Sequence, residues 1–299
     1  MPAARYWRIL VGLTGGGSVS CSELQMRTSS GGSNVATGGT ASASNVFGSG
    51  FEADKAFDGN NSTLWATATL SGTWIKYDFG SGNDKDIVEI TWRARGDGFV
   101  DQNPSDFAVQ YSFDDSVWTD AWRVHHTPFT TLGEVRTFTK PTGLGACQHW
   151  AIRIGRGTGN LAMGGVEMDL AESFGGSDIT GARSSERAYS TFSGFPASNL
   201  FDNNTGTEYS SSGTADIDDF VYIGLSWAAA RTIEEVKWRA RASVEREQSP
   251  TRGWVERSSD NINFLPYWTF TSPPTWTANE QRTFQRSAAT DKRRRLVLS

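Results

Sequence analysis

The chain has 299 residues, with 12 Trp, 17 Phe and 7 Tyr, and this aromatic content excludes a wholly disordered polypeptide while the length suits one large domain or two ordinary ones. The 32 Gly, only four Met and frequent Ser, Thr, Asn and Asp clusters exclude long helices and give a β-like composition. A net charge of -5 and a pI near 5.3 argue against a nucleic-acid partner, since such proteins present a basic domain; the one basic run, Lys292 to Arg295, is terminal.

In chain order, Trp7-Arg8-Ile9-Leu10 opens a strand. The apolar stretch Ile9 to Leu13 is too short for a signal-peptide core or a membrane span, so neither Sec export nor membrane insertion is expected. Cys21 and Cys147 are the only cysteines. They form a pair or two lone thiols, and either way there is no disulfide framework. A single turn is expected at Glu52 to Phe57, followed by the polar loop Asp58-Gly59-Asn60-Asn61-Ser62-Thr63. Sequons at Asn60, Asn61 and Asn203 place those segments in exposed loops. Strands follow at Ile75 to Phe79, Glu89 to Arg95, Phe107 to Tyr111 and Ala151 to Ile154, with turns at Gly80 to Asp84 and Phe113 to Ser116. In the 89–95 strand Ile90, Trp92 and Ala94 share the face expected inside, and Thr91, Arg93 and Arg95 the face expected outside. Trp65, Trp92, Trp118 and Trp238 are expected in the core.

The sequence repeats itself. Glu89-Ile90-Thr91-Trp92-Arg93-Ala94-Arg95 returns as Glu235-Val236-Lys237-Trp238-Arg239-Ala240-Arg241, a shift of 146 from position 89 to 235. Glu134-Val135-Arg136-Thr137-Phe138 returns at the same shift as Glu280-Gln281-Arg282-Thr283-Phe284. Phe57-Asp58 matches Phe201-Asp202 at a shift of 144, as does Glu23-Leu24 with Glu167-Met168. Two copies are therefore expected, 1–145 and 146–299. Arg294 to Leu298 reads either as the first strand of a third copy or as a last strand completing the second. The density of short alternating strands points to an all-β chain of two tandem β-sandwich, or jelly-roll, domains.

Several pieces of copy one, in order, carry a family resemblance: Lys55-Ala56-Phe57-Asp58-Gly59-Asn60 with Thr63 and Trp65, then Trp74 to Gly80, then Tyr111-Ser112 with Asp114-Asp115 and Trp118. This pattern resembles the discoidin, or coagulation-factor type C, family and its carbohydrate-binding relatives, which have the galactose-binding-like jelly-roll fold. Copy two departs from it at Asp202-Asn203, Tyr209 and Tyr222 to Leu225. The opening Arg5 to Ile9, the early Glu23 to Arg27 and the late Glu134 to Phe138 also look like repeat units of tailed-bacteriophage virion proteins.

The Asp58 loop is the first candidate site. A tight Asn- and Gly-rich turn with one Asp and one Thr offers several oxygens to a hard cation, and it is equally well read as a metal-free Asx turn. The resemblance implies a structural Ca²⁺ held by Glu23, Asp58, Asn60 and Thr63, and in copy two by Glu167, Asp202, Asn204 and Thr207. Sugar-binding aromatics in such modules stand on loops at one end of the sandwich. Phe99, Trp122 and Phe129 are the candidates in copy one and Trp254 or Trp276 in copy two, each weighed against simple packing. Catalysis finds no pattern: His125, His126 and His149 lack zinc-type partners or a serine elbow, and Asp114-Asp115 and Asp218-Asp219 read as solvated hairpins. Arg95-Gly96-Asp97 becomes Arg241-Ala242-Ser243 in copy two, so the integrin-type tripeptide is taken as coincidence.

The expectation is thus a non-enzymatic bacteriophage tail, fibre or decoration protein, made in the host cytoplasm and carried in many copies on the virion. Its partners would be a cell-surface glycan and other virion proteins, with avidity from repetition. The alternative is a purely structural virion or assembly protein that docks onto neighbouring subunits without binding sugar. A module cut from a glycan-degrading enzyme is disfavoured, because the sequence starts at Met1 and shows no catalytic domain.

Overall fold

The computed structural model describes residues 3–70, 72–155, 162–188, 191–211 and 220–287. The expected Asp218-Asp219 hairpin, the Lys292 to Arg295 run and the strand at 294–298 lie outside the described residues. Among those described, the regular elements are strands and short 3-10 turns, with no α-helix. The chain divides into two compact units, Met1–Thr142 with Ile262–Leu265, and Gly143–Asn261 with Pro266–Ser299.

The strands of the first unit are β1 (Tyr6–Thr14), β2 (Ser20–Cys21), β3 (Glu23–Arg27), β4 (Thr40–Ala43), β5 (Trp65–Ala66), β6 (Trp74–Asp78), β7 (Glu89–Arg93), β8 (Pro104–Ser112), β9 (Thr119–His125) and β10 (Val135–Thr139). One antiparallel sheet runs β4-β6-β1-β8-β9 and the other β10-β7-β3, with a small β2-β5 ladder between. The alternation in sequence decides what fills the space between the sheets. Trp7, Ile9 and Val11 of β1, Ile75 and Tyr77 of β6, and Phe107 and Val109 of β8 face Leu24, Met26, Ile90, Trp92 and Phe138, all buried.

The outer face of β7 departs from the simple alternation, because Glu89 and Thr91 are buried too. Glu89 accepts hydrogen bonds from Arg27 Nη1 at 2.8 Å, Ser30 Oγ at 2.9 Å, Gly31 N at 3.1 Å and Thr139 Oγ1 at 3.1 Å. A carboxylate satisfied from three directions lets a charged residue sit out of water on a sheet face. Trp118 is likewise not a core residue: it stands half-buried just before β9 with the Arg8 guanidinium 4.1 Å from its ring centroid. The expected turn at 52–57 is a 3-10 turn, Ala53–Ala56. Asp114 caps the β8-β9 hairpin, its Oδ1 taking bonds from the Ser116 and Val117 amides, both at 2.9 Å; these hold its carboxyl well below the usual range.

The second unit contains β11 (Cys147–Gly155), β12 (Gly164–Gly165), β13 (Glu167–Ala171), β14 (Ser185–Ala188), β15 (Tyr209–Ser210), β16 (Phe220–Arg231), β17 (Glu235–Arg239), β18 (Arg252–Ser258), β19 (Asn263–Thr271) and β20 (Gln281–Gln285). Its sheets run β14-β16-β11-β18-β19 and β13-β17-β20. Register repeats with the sequence: Glu23 opposes Arg93 in the first unit, and Glu167 opposes Arg239 in the second. The core is rebuilt with exchanged sizes. Phe107 and Val124 of the first unit correspond, 146 residues on, to Gly253 and Phe270, and a Cβ on Gly253 would clash with the tip of the Phe270 ring, at its Cζ. Phe270 stacks on Phe284 with centroids 4.3 Å apart, where Phe107 meets Phe138 edge-on at 5.1 Å.

One buried titratable group sets an acid limit on the first unit. His126 packs against Phe107, Phe129 and Phe138, and burial, with Arg136 adding to it, pushes its imidazole down to about 4. A histidine whose folded pKa lies below the unfolded value of ~6.5 is neutral in the fold, so the unfolded chain binds more protons between the two. Stability from this group is complete above pH ~6.5 and is lost as the pH falls toward 4, by on the order of 2 kcal/mol. Denaturant unfolding of His126→Gln between pH 7 and 4 is expected to show a flatter pH dependence than the wild-type chain; an unchanged slope would remove His126 as the cause.

Candidate functional site

Strand register gathers the candidate loops of the first unit at one end. Glu23 starts β3 opposite the end of β7, Thr14 ends β1 opposite the start of β8, and Val135 starts β10 opposite Arg93. Segments 15–19, 58–63, 94–103 and 126–134 therefore emerge together.

The 58–63 loop is built by its own side chains. Gly59 holds φ +72°, which a side chain disfavours, and Asn203 adopts φ 56° at the same place in the second unit, a conformation Asn tolerates. Asp58 Oδ1 accepts from Asn60 N at 2.8 Å, and Thr63 Oγ1 donates to Asp58 Oδ2 and lies 2.8 Å from both that atom and the Asn60 carbonyl. The second copy repeats this: Asn204 N to Asp202 at 2.9 Å, Thr207 Oγ1 to Asp202 at 2.7 Å and to the Asn204 carbonyl at 2.8 Å. Both loops thus satisfy the Asx-turn reading. Each also has a buried glutamate beside it. Gly59 N donates to Glu23 Oε2 at 3.1 Å, and burial, with the Asp58 charge, pushes the Glu23 carboxyl up to about 7. Burial, then the charge of Asp169, pushes Glu167 up to about 7, and its Oε2 is buried without a hydrogen bond.

That pair of features fits a hard cation. Two carboxylates, a carbonyl and a hydroxyl are oxygen donors of the type Ca²⁺ takes, and a positive ion would compensate a glutamate that burial otherwise disfavours as an anion. Among the described residues no group of three or more His, Cys, Asp and Glu forms a ready metal cage. The residues that would hold an ion are Glu23, Asp58, Asn60 and Thr63, and Glu167, Asp202, Asn204 and Thr207.

Beside the first loop lies a polar cluster around Arg95, itself nearly buried. Its Nε and Nη2 donate to both oxygens of Asp97 at 2.6 and 2.8 Å, its Nη1 donates to Gln102 at 2.7 Å, and its guanidinium lies 4.9 Å from the Phe99 ring centroid. The arginine that opens the Arg-Gly-Asp tripeptide is thereby locked onto the tripeptide's own aspartate. In the second unit Arg241 and Gln248 keep the pair at 2.9 Å, but the carboxylate is Glu208 at 2.7 Å and the ring is Phe195 at 5.5 Å.

Of the aromatic candidates, Phe99 is 63% exposed and holds a left-handed φ of 53°, an outlier for a bulky residue and hence a strained display of its ring. Trp122 and Phe129 are instead core residues. Trp122 faces inward from β9 and is fully buried, and Phe129 is closed off by His126 and the Arg136 guanidinium, 4.3 Å from its centroid, so neither offers a ring face to a ligand. Trp276 is buried in the same way beneath Arg282, at 3.9 Å, and Trp254 is half-buried on β18.

Two aromatic pairs escaped the sequence reading. Phe47 and Phe51 meet edge-on at 5.5 Å, and Phe192 and Phe195 meet tilted at 51° and 6.0 Å; Phe47 is 65% and Phe192 55% exposed. The same backbone bonds hold both pairs, Phe47 N to the Ala66 carbonyl at 2.8 Å and Phe192 N to the Ser210 carbonyl at 2.7 Å. The signal was present, since Phe47 and Phe192 stand 145 positions apart and Phe51 and Phe195 stand 144 apart, within the repeat's own shift.

Comparison with known families agrees with this architecture. Residues 55–143 match a family model of the coagulation-factor type C group described as NedA-like, galactose-binding domain. The matched span includes the 58–63 loop and the Arg95 cluster and runs through β10. The all-β sandwich is thus galactose-binding-like. Neither the curated proteins nor the solved structures gave a significant match.

Proposed function

We propose that this chain is a non-enzymatic glycan-binding protein of a bacteriophage virion, in which the loop end of the first sandwich grips a host-surface sugar. The observation that carries the reading is an aromatic pair with one exposed ring, held by the same backbone bonds in both units, at the sheet end from which the 58–63 loop and the Arg95 cluster also emerge. A sugar is recognised by the flat face of an aromatic ring against its C–H surface and by fixed polar groups on its hydroxyls, and Phe47 and Phe99 with the polar groups of the Arg95, Asp97 and Gln102 cluster supply the two on a rigid sheet end. The match to a galactose-binding domain supports the ligand class. The resemblance of the opening and closing strands to virion repeat units supports the particle, where many copies would multiply weak single-site affinity. Binding of the purified full chain to a glycan array tests the reading; a blank array would favour subunit docking without sugar.

Ca²⁺ in the loops is part of the same proposal, as a structural ion that orders the loop end. Binding to the folded state alone raises stability by mass action. Millimolar calcium is expected to raise the melting temperature of the full chain by about 2–4 °C over chelator, and Asp58→Ala to remove most of that rise. Identical melting curves with calcium and chelator would reject the ion and leave the Asx turn as the loop's whole structure.

A further inference from the structure

We propose that the second sandwich carries an oxyanion site at the end away from its cation loop, where Arg257 and Arg286 converge on the Tyr267 ring to take a sulfate or carboxylate group. Both guanidinium carbons lie 4.3 Å from the centroid of that ring. Glu234 is shared: the Tyr267 hydroxyl donates to its Oε1 at 2.7 Å and Arg286 Nη1 at 3.0 Å. Arg257 has no carboxylate partner among the described residues. Its Nη1 donates to the Gly145 carbonyl at 2.9 Å, and its Nε is buried without a hydrogen bond.

A half-buried guanidinium with one carbonyl bond is a charge in search of a counter-ion, since buried charge is normally paired. Burial lowers the basicity of Arg257 and repulsion from Arg286 adds to this, outweighing attraction from Cys147, Tyr267 and Glu234. Stacking on Tyr267 fixes the plane of the guanidinium; with Nε buried and one Nη1 hydrogen on the Gly145 carbonyl, the Nη1–Nη2 edge is the one that would match the paired oxygens of a sulfate or carboxylate. Among its described residues the first unit has no such arrangement. Tyr111 stands there in place of Arg257 and packs on Trp7 at 5.6 Å, and Lys140 stands in place of Arg286. The site therefore belongs to the second copy alone, and it stands independently of sugar binding at the loop end.

The test uses the full chain titrated with sodium sulfate to about 10 mM against sodium chloride at matched ionic strength, followed by melting temperature and by the arginine Nε–H resonances of ¹⁵N-labelled protein. A saturable rise of about 2–4 °C with one arginine resonance moving is expected, absent in Arg257→Gln and weaker in Arg257→Lys. Parallel titrations with sodium acetate and sodium glucuronate distinguish an inorganic oxyanion from a carboxylate as the natural group. A rise of equal size in Arg257→Gln, or a linear rise without saturation, would overturn the site. If Arg257→Gln does not fold, the wild-type resonances decide: no arginine Nε–H shift with any of the three anions would overturn it as well.

Discussion

Gly253→Phe is expected to unfold the second sandwich, and Gly253→Phe combined with Phe270→Val to restore it. A phenyl group at 253 would occupy the space that the Phe270 ring already fills against Phe284, so the single change overpacks a core with no slack and should cost at least about 3 kcal/mol. Phe270→Val alone removes most of a ring and leaves a cavity, at a cost of about 2–4 kcal/mol. Together the two changes install the pair that the first unit uses, Phe107 with Val124, in which total volume is kept; the double variant should lie within about 1.5 kcal/mol of wild type. Denaturant unfolding of the three variants measures the coupling directly. Additive losses would show that the two cores are not interchangeable at this layer.

Phe47→Ala and Arg95→Met, each in the full chain, are expected to reduce glycan binding by about tenfold to a hundredfold, the effect of losing an aromatic contact or a charged hydrogen-bond donor worth about 1.5–3 kcal/mol. Phe192→Ala should have a smaller effect. The two ends are not equivalent: where the first unit exposes Phe99 and Leu132, the second has Glu245 and Ala278, so its apolar platform is reduced to the Phe192 pair. We therefore propose that recognition lies in the first copy, with the second as spacer or docking domain. Loss of binding in Phe192→Ala with Phe47→Ala unaffected would reverse that assignment. Indifference to all three changes, on a chain that does bind glycan, would move the site away from this end altogether.

The strands were legible because period-two alternation is a direct consequence of a sheet with one dry face, as in Trp7, Ile9 and Val11. Legibility failed where burial comes from distant partners. Nothing near Glu89 announces that Arg27, Ser30 and Thr139 will enclose it, and nothing near Trp122 or Phe129 tells that both rings turn inward. Exposed aromatics such as Phe47 look in sequence like packing aromatics, since both sit among turn formers. Only the comparison of the two copies separates them. The hydrogen bonds inside the 58–63 loop were readable, because they run over five positions at most, whereas the Gly59 bond to Glu23 and the elevated carboxyls of Glu23 and Glu167 depend on the burial that the whole sandwich provides.

The different anchoring of the two arginines bears on how such ends can be re-engineered. Arg95 is clamped by Asp97 and Gln102, all within the single segment 94–103, so that segment carries its own scaffold and could be transplanted between related sandwiches as one cassette. Arg241 depends on Glu208, next to Thr207 of the cation loop and 33 positions away. A graft of segment 240–249 alone would leave a guanidinium without its acid. Loop libraries built on the second unit would therefore have to vary both segments together, whereas on the first unit residues 94–103 can be randomised around a fixed Arg95-Asp97-Gln102 frame with the rest of the end untouched.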